Sequence, residues 1–215
     1  MGIRIGAHID FLGGITDTAF DPMEPQLSLV LPRFPVLSMP SGLAMRQRIE
    51  EVRQTGDSIG GEIECAVTGI PTGLGEPMFG GVESKIAQIV YGIPAVKSLE
   101  FGAGKLHAYS LGSKMNDPFT VCDGAIRTAT NNCGGILGGI TNGMPVIFRV
   151  GIKPTPSITK PQTGINLQSM EEITLEIKGR HDPCIVPRAV PVVEAAAAIA
   201  IYDLILGNTQ TNRRK

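Results

Sequence analysis

The feature that most constrains the fold of this chain is an alanine-rich apolar stretch near its C-terminus, residues 189–206. Its length approaches the roughly 18–20 residues that a membrane-spanning helix needs, but Pro191, Glu194 and Asp203 interrupt it. Alanines at positions 195–198 and 200 allow a helix to approach other backbone closely. We therefore interpret this stretch as a core helix of a soluble protein and expect no membrane association.

A dense polar run, Gly-Arg-His-Asp at positions 179–182, directly precedes this helix. Pro183 and Pro187 disfavour regular helix or sheet pairing, so the run is predicted to lie in a stiff loop. In one interpretation the arginine and aspartate form a surface ion pair and the histidine is an exposed loop residue. In the other, the three side chains are positioned for an anionic ligand and for proton transfer. Residue types do not decide between the two.

Periodic patterns along the rest of the chain predict an α/β fold. Alternation of apolar and polar residues predicts strands with one buried face at residues 3–11, 145–153 and 172–178. We also expect strands at residues 62–70, after a glycine-rich turn, and at residues 95–102, after a helix stop. His8 falls on the polar face of the first strand, where we expect it to be solvated. Helical periodicity predicts helices at residues 42–54, with Ser41 as N-cap, and 82–91. We expect a largely antiparallel sheet that packs on helices.

Three further loops have compositions suited to close approach or to ligand binding. Residues 56–61 hold three glycines, but their spacing fits neither a P-loop nor a dinucleotide fingerprint, so we favour a turn. The glycine pairs within residues 131–143 serve either tight packing or contact with a flat ring system. Residues 153–157, Lys-Pro-Thr-Pro-Ser, combine a cation, two hydroxyls and free N–H groups on a stiff loop. That combination suits a phosphate or a carbonyl oxygen.

Composition excludes several functional classes. The formal net charge is −1, which gives no global electrostatic case for nucleic acid or an anionic membrane. Four cysteines show no Cys-x-x-Cys pair and no zinc spacing, so we expect reduced thiols and no metal site.

Six segments, in the same order, resemble those of chorismate synthases. They are GDSIGG at 56–61, GLGEP at 73–77, PAVK with EFG at 94–102, NNCGGILGGI at 131–140, KPTPS at 153–157, and GRHDPC followed by RAVP at 179–191. The resemblance implies an incomplete β-α-β sandwich and a lyase of the shikimate pathway for aromatic amino acid biosynthesis. That enzyme would convert 5-enolpyruvylshikimate 3-phosphate to chorismate and phosphate by 1,4-elimination with reduced FMN. It further implies an association with NADP, a homotetramer and a cytoplasmic location.

The resemblance also assigns site residues. Asp182 matches the family aspartate that assists proton transfer and is the predicted catalytic residue. The predicted cofactor-binding residues are Pro94, Ala95, Gly138, Lys153, Pro154, Thr155, Pro156, Ser157 and Arg180. Arg180 is also predicted to face the substrate.

Three motifs of the family's opening segment are absent from this sequence: Gly-Glu-Ser-His-Gly, Arg-Pro-Gly-His and Arg-Ser-Ser-Ala-Arg-Glu-Thr. The two histidines that the family uses as acids belong there, and neither His8 nor His107 lies in a matching motif. We expect residues 1–206 to be a C-terminal portion of a family member, with Met1 an artificial or internal start, and residues 207–215 to be a disordered tail. We expect this chain to be inactive by itself. The alternatives are a structural or assembly module and an FMN-binding module without turnover.

Overall fold

The computed structural model describes residues 2–122, 124–179 and 181–212. Its strands are β1 Arg4–Leu12, β2 Ile15–Thr16, β3 Gly61–Thr68, β4 Val96–Phe101, β5 Phe119–Cys122, β6 Ala125–Thr128, β7 Ile136–Leu137, β8 Ile140–Thr141, β9 Val146–Ile152, β10 Gln162–Asn166 and β11 Glu171–Leu175. Its helices are α1 Met39–Gln54, α2 Val82–Val90, α3 Leu106–Tyr109, α4 Gly112–Met115 and α5 Val186–Asn212.

A five-stranded sheet in the order β2-β1-β3-β9-β4 forms the scaffold, and every pairing in it is antiparallel. The other strands form three two-stranded hairpins, β5-β6, β7-β8 and β10-β11. The prediction of an α/β chain with a largely antiparallel sheet on helices is confirmed. The described residues hold one sheet layer and one helix layer of the expected sandwich.

One face of the sheet builds the core. Successive side chains of a strand point to opposite faces, so alternate apolar positions in neighbouring strands meet. Ile9, Ile63 and Val150 share one row across β1, β3 and β9, and Cys65 pairs with Phe148 in the next. All five side chains are fully buried. Helices α5 and α2 cover this face and pack on each other.

Helix α5 lies on β1 and β3 through its small residues, as the alanine-rich sequence predicted. Ala196, Ala197 and Ala200 are buried, and the carboxylate of Glu194 accepts a hydrogen bond of 2.8 Å from the backbone N–H of Ala7. The helix begins at Val186, earlier than predicted, because a proline in the first turn costs no helical hydrogen bond.

The helix is also longer at its other end. It continues to Asn212, within the tail that the sequence analysis expected to be disordered, and residues 213–215 lie outside the described range. Helix α1 likewise begins before the predicted start, at Met39. Its N-cap is Ser38 and not Ser41, and the hydroxyl of Ser38 accepts from the backbone N–H of Ser41.

The outer face of α5 remains apolar. Val192, Ile199, Tyr202 and Leu206 are each about half exposed or more. Over its most apolar window the helix has a mean hydropathy of 1.9, long and apolar enough by composition to cross a membrane. Its inner face packs on the sheet, however, as in a core helix of a folded domain.

The close approach of α5 to the sheet predicts opposite outcomes for two adjacent alanines. Ala197→Leu should lower the free energy of unfolding by about 1–3 kcal/mol, because a buried alanine against strands leaves no room for added carbons. Ala198→Leu, on the exposed face, should change it by less than about 0.5 kcal/mol. Urea denaturation of both variants measures the difference, and equal effects would contradict the packing.

Candidate functional site

Three loops converge at the end of the sheet where β9 finishes. The first loop (residues 56–60) follows α1, the second loop (residues 153–160) follows β9, and the third loop (residues 176–185) leads into α5. Hydrogen bonds join them, among them Ile59 N–H to Pro183 O (2.8 Å), Ser58 Oγ to Thr155 O (2.5 Å) and Lys160 Nζ to Asp57 Oδ2 (2.7 Å). The sequence predicted each loop separately, and the fold makes them one unit.

A cavity of 630 Å³ lies between the first loop, the second loop and the start of α5. Its polar wall residues include Arg53, Asp57, Thr159, His181, Asp182 and Arg188. Asp182 was predicted as a site residue, whereas Arg53, Thr159 and Arg188 were not. Because the polar wall residues come from α1, the three loops and α5, the wall that they share has no signature in local sequence.

Asp182 is held in place from two sides. Its Oδ1 accepts from the backbone N–H of Cys184 (3.2 Å), and its Oδ2 accepts from Nη1 of Arg188 (2.9 Å). The predicted ion-pair candidate, Arg180, lies outside the described residues. The cation that pairs with Asp182 in the described chain is therefore Arg188, eight positions beyond Arg180.

His181 stands next to this carboxylate in the same wall. Its Nε2 lies 3.2 Å from the carbonyl oxygen of Ile177, which can only accept, so Nε2 carries a hydrogen. Cys184 also lies nearby, but burial raises the pKa of its thiol to about 11. The thiol is therefore protonated at neutral pH and does not supply a nucleophilic thiolate.

The second loop holds hydrogen-bond donors that have no acceptor among the described residues. The Oγ1 of Thr155 is buried without a hydrogen-bond partner. Across the described residues, the backbone N–H groups of Thr155 and Ser157 donate no hydrogen bond, and the ammonium of Lys153 makes no ion pair. Pro154 and Pro156 restrict the loop backbone, so these donors are held ready for an acceptor.

Ala95 lies against this loop. Its carbonyl oxygen accepts from the backbone N–H of Lys153 at 2.9 Å. Ala95 has a φ of +73°, a left-handed conformation that costs a residue with a Cβ roughly 1–3 kcal/mol. Such backbone strain is typical of active sites and ligand-binding sites, where the surrounding structure maintains it.

Gly138 lies away from these residues. It forms the turn between β7 and β8, and the adjacent Gly139 carbonyl accepts from the N–H of Val82, where α2 begins. Pro94 and Ala95 follow the other end of α2, which is about 12 Å long at 1.5 Å per residue. The structure thus brings Ala95 and the start of the second loop together and leaves Gly138 separate. The cavity wall that holds Asp182 includes Ile158 and Thr159 from the end of that loop.

The second face of the sheet holds a charged cluster that the sequence did not reveal. His8, Glu64, Arg149 and Glu100 form one cross-strand row over β1, β3, β9 and β4. His8 is fully buried and contacts Glu64 (3.0 Å) and Asp17 (3.2 Å), so the expectation of a solvated histidine is wrong. The reason is non-local, since the segment around Asp17 folds back over this face.

A second cavity, of 680 Å³, opens over this row. Burial and the neighbouring carboxylate of Glu64 raise the pKa of Asp10, whereas burial and the carboxylates of Asp10 and Glu100 raise the pKa of Glu62. Burial would also raise the pKa of Glu64, but hydrogen bonding to His8 and the charge of Arg149 outweigh it and lower that pKa.

Ligand atoms of His8, Asp10 and Glu64 lie within 4.8 Å of one another, a spacing that could hold a metal ion. Both ring nitrogens of His8 already contact carboxylates, and Glu64 also accepts from Arg149 and from the backbone of Phe20. The geometry therefore matches a closed, internally balanced charge network.

Comparisons with known proteins point to one family. The model of the family described as chorismate synthase matches residues 1–206. A chorismate synthase of Dehalococcoides mccartyi strain BAV1 is 46% identical over 209 residues, which are 96% of this chain and 57% of that protein. One of Methanosarcina mazei strain Goe1 is 44% identical over 215 residues, 99% of this chain and 58% of that protein.

A crystal structure of a chorismate synthase is similar with a TM-score of 0.79 and 27% identity, over 96% of this chain and 58% of that one. This chain therefore spans a little over half the length of these relatives.

The raised pKa of Glu62 predicts that Glu62→Gln stabilises the fold in a pH-dependent way. Because the folded-state pKa of Glu62 lies above its ordinary value of 4.5, the ionised carboxylate opposes folding above that pKa. Glu62→Gln should raise the melting temperature by about 1–3 °C at pH 7.5 and leave it unchanged at pH 3.5. Differential scanning calorimetry at both values measures this, with Glu172→Gln on exposed β11 as control. A lower melting temperature for Glu62→Gln at pH 7.5 would contradict the assignment.

Proposed function

This chain belongs to the chorismate synthase family, and from that premise we propose that it supplies part of the site for a flavin-dependent elimination. The proposed reaction converts 5-enolpyruvylshikimate 3-phosphate to chorismate and phosphate, a step in aromatic amino acid biosynthesis. The observation that carries the proposal is the convergence of the three loops, in which Ser58 binds the backbone of Thr155 and Ile59 binds the carbonyl of Pro183, next to Asp182.

The free donors of the second loop fit FMN. A buried Oγ1 without a partner, two unused N–H groups and an unpaired ammonium match the acceptor oxygens of a flavin ring edge or its phosphate. Lys153, Thr155 and Ser157 are the residues that would hold the cofactor, with Ala95 fixing the loop from behind. When bound, reduced FMN supplies electron density to the departure of phosphate without net oxidation.

Asp182, His181 and Arg188 supply polar groups in the wall of the cavity that Thr159 of the second loop also lines. The carboxylate of Asp182 can accept a proton, and its two hydrogen bonds orient it toward one geometry. Arg188 supplies a positive charge beside it that can attract an anionic ligand. Proximity of a base and a cation is what removal of a proton and a phosphate from one substrate requires.

We further propose that the chain by itself binds ligand without turning it over. His8 lies in the closed network of the other sheet face, and His107 donates from Nε2 to the carbonyl oxygen of Asn132. Neither histidine lines the cavity that holds Asp182. Among the described residues, His181 is then the histidine that lines this cavity. Residues from beyond this chain would complete the acid chemistry.

The exposed apolar face of α5 favours a second role in assembly. Val192, Ile199 and Tyr202 present side chains of the kind that subunit contacts bury. A homotetramer and a cytoplasmic location follow the family and are part of the same proposal, as is NADP association.

Cofactor binding by the second loop predicts a graded loss of FMN affinity. Lys153→Ala should raise the Kd for FMN about tenfold or more because a charge-assisted hydrogen bond is lost, and Thr155→Val about fivefold because a neutral one is lost. Fluorescence titration of FMN into each variant measures this. Lys114→Ala on α4 and Thr163→Val on β10 remove the same groups at exposed positions and should leave the Kd unchanged. Equal effects from the control variants would contradict the assignment.

Membership of an enzyme family predicts that the activity of this chain can be restored by a second chain. The chain should release no phosphate from 5-enolpyruvylshikimate 3-phosphate by itself, and should gain activity when the remaining segment of a chorismate synthase relative is supplied in trans with reduced FMN. An Asp182→Asn chain should fold and associate equally but restore at least about a hundredfold less activity, since general acid–base groups contribute roughly 10²–10⁴. Activity independent of residue 182 would contradict its role, and association without activity would favour the assembly module.

A further inference from the structure

Ion pairs surround the cavity between the three loops. Arg53 pairs with Glu50, Lys160 with Asp57, and Arg188 with Asp182. In the third pair both partners belong to the cavity wall. A ligand that enters this cavity therefore meets a cation and an anion already bound to each other.

The Arg188–Asp182 pair is held loosely on the arginine side. The Arg188 side chain is 79% exposed, whereas that of Asp182 is 29% exposed. Arg188 uses one nitrogen, Nη1, for the carboxylate, and its other guanidinium N–H groups have no acceptor among the described residues. Its backbone is fixed instead, because the N–H groups of Arg188 and Ala189 both donate to the carbonyl of Ile185. The side chain is thus free to turn about a rigid anchor at the start of α5.

We propose that Arg188 is a phosphate-binding arm of this cavity and that Asp182 competes with the ligand for it. The proposal deepens the proposed function by naming the chemical class of ligand, a phosphate monoester, and the residue that receives it. Phosphate offers more negative charge than a carboxylate and can accept two parallel N–H bonds from guanidinium. An exposed ion pair contributes little to stability, so exchanging the carboxylate for phosphate costs little.

The exchange has a consequence for Asp182. When Arg188 turns to the phosphate, Oδ2 loses its partner while Oδ1 keeps the N–H of Cys184. The carboxylate stays oriented but gains a free oxygen. Binding of the phosphate group would thereby release the group that accepts a proton, and Arg188 acts on Asp182 as a positioning residue.

Inorganic phosphate tests the competition directly, with no flavin present. Isothermal titration at low ionic strength should show tighter binding to Asp182→Asn than to the natural chain, by about threefold, because the internal competitor is removed. Arg188→Gln should bind about tenfold more weakly. In the double variant the gain from Asp182→Asn should vanish, because the arm that it frees is absent.

A matched control separates competition for Arg188 from a general effect of removing one negative charge. Glu51→Gln removes the same charge from an exposed pair with Arg48, which is outside the cavity wall, and should leave the phosphate Kd unchanged. Circular dichroism melting of each variant checks folding. The proposal is overturned if Asp182→Asn fails to tighten phosphate binding, or if this gain in affinity persists in the double variant without Arg188. It is also overturned if neither the natural chain nor Asp182→Asn binds phosphate at about 20 mM.

Two ligand pairs identify the source of the phosphate. If Arg188→Gln weakens FMN but not riboflavin, the arm receives the cofactor's phosphate. If it weakens shikimate 3-phosphate but not shikimate, the arm receives the substrate's phosphate. Equal effects on the members of both pairs would contradict a phosphate arm. The inorganic phosphate result stands apart from the proposed function, because it does not require flavin binding or turnover.

Discussion

The close contact between the alanine face of α5 and the sheet is the constraint on which the rest of the structure depends. Ala196, Ala197 and Ala200 leave the helix backbone near β1 and β3, and Glu194 adds a hydrogen bond to the N–H of Ala7. Larger side chains at these positions would move the helix outward. Because the third loop leads directly into α5, its position relative to β9 and the first loop follows from this packing.

The sheet separates two kinds of chemistry on its two faces. Its inner face is apolar and supplies the hydrophobic core with α2 and α5. Its outer face carries the row of His8, Glu64, Arg149 and Glu100, in which Arg149 lies between two carboxylates. Buried charges persist only when they are paired and hydrogen-bonded, and this row meets that requirement for Glu64 through three donors. The ligand site lies apart from both, where the sheet ends and backbone donors become available.

Much of this arrangement could be predicted from local sequence. Period-two alternation located the main strands, and the alanine run located α5, because both signals arise within a few residues. The three site loops were also found, because glycine and proline mark turns. The burial of His8 could not be predicted, since it depends on the distant residues Asp17 and Glu64.

The partner of Asp182 was missed for a related reason. The nearest cation in sequence is Arg180, but the turn before α5 places Arg188 within hydrogen-bond distance. That contact depends on the three-dimensional path of the third loop, which local sequence does not give. Gly138 shows the converse case: it shares the glycine-rich composition of a ligand loop, yet the length of α2 separates it from Ala95.

The central claim is that the three loops form one ligand site, and amide hydrogen exchange measured by NMR with and without FMN tests it most directly. The N–H groups of Thr155 and Ser157 have no acceptor in the described chain, so the account predicts that they exchange rapidly without FMN and more slowly with FMN. Amides of residues 56–60 and 181–185 should also exchange more slowly when FMN is added. Slowing confined to the β7-β8 turn, or to one loop, would contradict a shared site.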